Sequence, residues 1–92
     1  MSYNITQYTL DKAKQLGVVV KPSTSKGKKI DVFKNGSKVA SVGALGYGDY
    51  PTYLLLYGKE YADKRRKYYK IRHEKDRHII DSNGWYASEL LW

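Results

Sequence analysis

Between Lys64 and Arg72 the chain sets six cations, Lys64, Arg65, Arg66, Lys67, Lys70 and Arg72, around two adjacent tyrosines, Tyr68 and Tyr69. Guanidinium and ammonium groups at this density repel one another unless an anion lies among them. The chemistry they offer is neutralisation of phosphates with release of condensed counterions, which is salt-dependent and largely blind to base sequence. A tyrosine within such a run can stack on an unpaired base, so Tyr68 and Tyr69 are the stacking candidates.

A second cationic stretch precedes it. Lys21, Lys26, Lys28, Lys29, Lys34 and Lys38 lie within eighteen residues, with Asp31 as their one acid. Lysine is a hydrated point charge that holds a phosphate backbone without reading bases bidentately. Lys26, Lys28 and Lys29, in or beside a loop rich in Ser and Thr, are therefore expected to form a second, mobile grip. Lys59 to Arg77 holds nine basic and four acidic residues, whereas Val39 to Gly58 has no Lys or Arg. Two basic blocks separated by an apolar one do not resemble a surface made cationic for solubility alone.

The competing reading is a solvated helix laced with i, i+4 pairs, Glu60 to Lys64 and Asp63 to Lys67. Each exposed pair is worth only about 0.3–0.5 kcal/mol, and four acids cannot neutralise nine bases. A cationic excess remains for an acidic partner.

Other reactive patterns are weaker. Gly43-Ala44-Leu45-Gly46-Tyr47-Gly48 precedes a helix, where a phosphate cradle would lie. It lacks the Lys and hydroxyl of a P-loop, and Asp49 opposes an anion there, so the glycines are expected to permit a sharp turn or close packing. His73 and His78 would stand about 140° apart on a helix and share no face. No Ser-His-Asp arrangement is visible, and the absence of Cys removes thiol nucleophiles, disulfides and Cys-based zinc sites. The expectation is a non-enzymatic protein with no cofactor, no metal and no small-molecule substrate.

These residues need a scaffold. The 92 residues, with a net charge of +8, suffice for one domain, residues 1–92. No apolar run approaches the roughly twenty residues of a membrane span, so no membrane partner is expected. Met1-Ser2-Tyr3-Asn4 has no basic region followed by an apolar stretch, so no signal peptide is expected and the location is read as intracellular. Thr9 is a candidate N-cap for a short helix closed by Gly17. Val18-Val19-Val20 reads as a strand. Asn35-Gly36 is a strong hairpin signal between Ile30–Phe33 and Lys38–Val42. A three-residue loop, Lys34-Asn35-Gly36, would put Ile30, Val32, Ala40 and Val42 on one face, whereas a two-residue loop would split them. Asp49 can cap a helix with Pro51 in its first turn. Its Tyr50, Tyr53 and Tyr57, continued by Tyr61, recur at core spacing. Gly58 should end or bend it, and a basic helix is expected from Lys59 to about Arg77. After a turn at Asp81-Ser82-Asn83-Gly84, Trp85 to Trp92 can dock as a last short helix, burying Ala87, Leu90 and Leu91. The fold class is α+β: a small three-stranded antiparallel sheet with an N-terminal helix and two or three C-terminal helices packed on it.

Three segments also carry a likeness: Gly43 to Tyr53, with its Asp49-Tyr50-Pro51-Thr52-Tyr53 box, Ala62 to His73, and Gly84 to Trp92. Together they resemble short basic proteins encoded by large double-stranded DNA viruses of algae and amoebae. The resemblance implies a viral origin and packaging with a genome or capsid, in the virion or the interior of the infected cell (cytoplasm or nucleus), and no catalytic residue. Charge and resemblance together predict sequence-independent binding of nucleic acid, double-stranded DNA foremost, serving genome condensation or packaging. The alternative is a small capsid or scaffold component that docks on another virion protein through its Tyr and Trp surfaces.

Overall fold

A computed structural model describes residues 3–92, so the expectation read at Met1 and Ser2 lies partly outside the described residues. The order is α1 (Gln7–Leu16), β1 (Val19–Pro22), β2 (Lys28–Lys34), β3 (Ser37–Ala44), α2 (Tyr50–Tyr57), α3 (Lys59–Arg72) and α4 (Asn83–Leu91). The strands form an antiparallel sheet ordered β1-β2-β3. This is the expected α+β architecture.

Local chemistry accounts for most boundaries. Thr6, not Thr9, caps α1, and its hydroxyl accepts from the Thr9 amide. Thr9 instead lies inside the protein, where its hydroxyl donates to the Leu90 carbonyl at 2.8 Å and ties α1 to α4. Gly17 ends α1 in the left-handed conformation (φ 73°), and its N–H reaches back to the Ala13 and Lys14 carbonyls.

The hairpin turns through two residues, Asn35 (φ 54°) and Gly36 (φ 81°), both in the left-handed region that a type I′ turn requires. The expected three-residue loop is absent, yet the apolar face it would create exists. Val32 pairs with Ala40 but Phe33 pairs with Lys38, so Val39 is an extra residue in β3. That bulge shifts the pattern by one position and keeps Ile30, Val32, Ala40 and Val42 buried together.

Ala13 of α1, Val18 and Val20, the four hairpin residues, and Tyr86, Leu90 and Leu91 of α4 make one core. Fully burying an aliphatic or aromatic side chain stabilises by about 1.5–3 kcal/mol, so the sandwich of sheet, α1 and α4 is the stable body. The helices α2 and α3 pack chiefly on each other. Asp49 caps α2 by accepting from the Thr52 amide at 3.0 Å, and Gly58 (φ 91°) separates α2 from α3.

Two expectations need correction here. The basic helix ends at Arg72, not near Arg77; residues 73–82 run through turns held by His73 accepting from the Asp76 and Arg77 amides. Of the tyrosine stripe only Tyr50 is buried; Tyr53 is half-buried, and Tyr57 and Tyr61 are exposed, because α2 and α3 pack chiefly on each other rather than on the sheet.

Candidate nucleic-acid interface

Six of the nine bases between Lys59 and Arg77 lie on α3 from Lys64 onwards, and the anticipated helical pairs do not form. Asp63 takes Lys59 at 2.6 Å and accepts from the Tyr50 hydroxyl at 2.9 Å, leaving Lys67 without it. Glu74 takes Arg77 and His78, both at 2.8 Å, beyond the helix end. Among the described residues, Lys64, Arg65, Arg66, Lys67, Lys70 and Arg72 therefore make no ion pair.

The 3.6-residue period divides these cations among three directions. Arg65, Tyr69 and Arg72 share the side that meets β2, the glycine passage and the end of α4. There they border a cleft of about 360 Å³ whose other wall includes Lys28, Gly43, Tyr47 and Gly48. Arg66 and Lys70 turn the other way. The Arg66 guanidinium lies 3.5 Å from the centroid of Tyr50, and its Nε is buried without a hydrogen-bond partner among the described residues. Desolvation, with the charges of Arg77 and Arg66, pushes the Lys70 ammonium below its usual range. Lys64, Lys67 and Tyr68 face outward, exposed to solvent.

The Lys block is likewise divided. Lys26 is exposed and Lys28 borders the cleft. Lys29 is not a mobile grip. It is 4% exposed, and its ammonium donates to Asp49 at 2.8 Å, 5.1 Å from the centroid of Tyr3. Burial alone would raise the Asp49 pKa, but hydrogen bonds from Lys29, Tyr3 and Thr52 hold it below the usual carboxylate range. The acid that seemed to oppose an anion beside the glycine passage is thus neutralised inside the protein.

The glycines serve close packing. A Cβ on Gly43 would stand 2.8 Å from Leu91 Cδ1 and 2.9 Å from Lys29 Cδ, and one on Gly48 would stand 2.2 Å from the Tyr53 ring. Bare backbone at both places lets Tyr53, Leu91 and the Lys29 stem close in and leaves the cleft open between them.

The cleft's deep wall is aromatic. Tyr69, expected as a free stacking platform, is 8% exposed and already stacked, on Trp92 (4.4 Å, 8°) and on His73 (4.4 Å, 29°). Tyr53 packs on Trp92 at 6.0 Å, and the Arg65 guanidinium stands 5.4 Å from the Tyr53 centroid. Tyr47, which no pattern in the sequence singles out, borders the same cleft and is 76% exposed, with no aromatic neighbour among the described residues. Its only signal in the chain is a position between two glycines.

Among the described residues no acid borders the cleft itself; behind its wall Asp49 is taken up by Lys29 at 2.8 Å, and Asp76 stands 3.8 Å from His73 Nδ1. Among the same residues no three His, Cys, Asp or Glu side chains are placed to hold a metal ion, and no helix is long and apolar enough to cross a membrane. The chain matches no family model, no curated protein and no solved structure.

Proposed function

We propose that this protein binds nucleic acid through its phosphates, without catalysis and without regard to sequence. The observation that carries this reading is the meeting of Lys28 from the first basic block with Arg65 and Arg72 from the second along one cleft, none of the three in an ion pair among the described residues. Three cations crowded together without acids raise the local potential and favour a polyanion. Lys26 and Lys64, exposed outside the cleft, extend the footing for a backbone, while Lys67 lies nearly opposite the cleft side of α3. Arg66 and Lys70 contribute field rather than contact. The resemblance to virus-encoded basic proteins supports a viral genome as the polymer, and coating or condensation as its use. Titration of labelled DNA at several salt concentrations tests this. The logarithm of affinity should fall linearly with the logarithm of salt concentration, and salt-independent binding, or none in dilute buffer, defeats the reading.

A second reading, assembly, is favoured by α2. Its sequence Tyr50–Tyr57 carries no charge, and Leu55 is 82% exposed beside exposed Leu54, Leu56 and Tyr57. The occupant that fits is a second copy, because two uncharged α2 surfaces can meet without bringing like charges into contact. Sedimentation of the protein after nuclease treatment distinguishes this: a dimer lost in Leu55→Lys supports it, a monomer removes it.

A further inference from the structure

We infer that the cleft is a receptor for one unstacked nucleotide, its phosphate held by Lys28, Arg65 and Arg72 and its base covered by Tyr47. This rests on the nucleic-acid reading and adds to it a preference for unpaired nucleotides over duplex.

The cleft has both halves of the required chemistry. Three cations without acidic partners at its edge suit a phosphate, and arginine can address phosphate oxygens with two parallel N–H groups. A volume of about 360 Å³ falls at the small end of the usual pocket range of about 300–1,000 Å³. It suits a single nucleotide unit and is too small for a stack of several. The floor, of Tyr53, Tyr69 and Trp92, is a packed apolar surface whose rings are committed to one another. Tyr47 is different. Its exposed, unstacked ring sits on a passage with Gly46 at φ 90° on one side and Gly48 on the other, where the backbone can turn it over the opening. A planar base between that ring and the floor would bury the tyrosine face that water now covers.

Bases in a duplex are stacked and paired, and reach such a cleft only after extrusion from the helix, which costs a few kcal/mol. A free mononucleotide and an unpaired nucleotide within a strand present the same chemistry. A phosphotyrosine shares the aromatic-plus-phosphate outline, but the exposed Lys26 and Lys64 outside the cleft favour a ligand whose backbone continues as a polyanion.

Calorimetry and tryptophan fluorescence on the full chain test this with five probes: AMP, inorganic phosphate, phosphotyrosine, an oligodeoxythymidine strand and a blunt duplex of equal length. The expected result is binding of the strand tighter than of the duplex, with AMP competing for the strand and perturbing Trp92 emission. Tyr47→Ala should weaken strand and AMP at least about fivefold, in line with the cost of losing one base stack. It should leave the melting temperature unchanged, since the ring is exposed, and Tyr47→Trp should restore binding. Equal binding of strand and duplex that Tyr47→Ala does not alter overturns the inference and leaves the nucleic-acid reading standing. Binding of AMP with neither polymer bound keeps the receptor and defeats that reading. Phosphotyrosine displacing AMP, or phosphate matching it, overturns the nucleotide assignment, and silence from every probe overturns both.

Discussion

The indole of Trp92 lies flat on the ring of Tyr69, with centroids 4.4 Å apart and planes 8° from parallel. This one contact joins the end of α4 to the last turn of α3. It holds the basic helix against the core that α1, α4 and the sheet build, and it forms the floor between Arg65 and Arg72. Trp92→Ala is expected to destabilise by about 2–4 kcal/mol, combining a lost aromatic pair with the hole left behind. Trp92→Phe should recover most of that. Urea unfolding followed by circular dichroism measures both.

Adjacent lysines are expected to behave oppositely. Lys29→Ala leaves the buried Asp49 carboxylate uncompensated, a loss of about 3–5 kcal/mol, readable as a lower urea midpoint. Lys28→Ala should leave that midpoint unchanged within about 0.5 kcal/mol, as surface substitutions usually do, and weaken DNA binding instead.

The three cleft cations should appear in the salt dependence. Removing Lys28, Arg65 or Arg72 singly is expected to lower the slope of log affinity against log salt by about 0.7–0.9 for each phosphate that is no longer neutralised. Arg66→Ala is the control on the same helix. Its guanidinium stacks on Tyr50, so it should cost about 1–2 kcal/mol of stability and leave the slope nearly unchanged.

Acid should loosen the Ser23–Thr24 segment that Asp31 holds against the hairpin. Burial would raise the Asp31 pKa, but hydrogen bonds from Ser23, Ser41 and Thr24, together with the Lys38 charge, hold it at about 2 against an ordinary 3.8. A folded value below the unfolded one gives stability that is fully present above pH 3.8 and lost as the pH falls through about 2. Melting temperature should therefore decline from just above pH 4 towards pH 2, and Asp31→Asn should flatten that part of the profile while lowering stability at neutral pH by about 1.5–3 kcal/mol.

Local signals in the chain were enough for the elements and their order. Asn35-Gly36 specifies a turn because both residues tolerate positive φ; Asp49 and Pro51 start α2, and Gly17 and Gly58 end helices, for reasons confined to a few neighbouring atoms. Such effects act along the backbone and survive any arrangement of the rest. The Val39 bulge was less legible, because it reconciles a preferred two-residue turn with a core face that only packing defines.

Composition likewise determined that a cationic excess would remain, but not which cations would be free. That was decided in three dimensions, by groups far apart in the chain. Asp49 lies twenty positions from Lys29 and takes its ammonium out of solvent, while Lys28 stays available. Arg65 and Arg66 are neighbours, yet the helical period sends one into the cleft and the other onto Tyr50. Tyr69 loses the free face expected of it because Trp92 and His73 cover it, whereas Tyr47, which no pattern singles out, is left uncovered between two glycines. Charge and ring count are properties of the chain; desolvation and pairing depend on which atoms meet, and only the tertiary fold settles that.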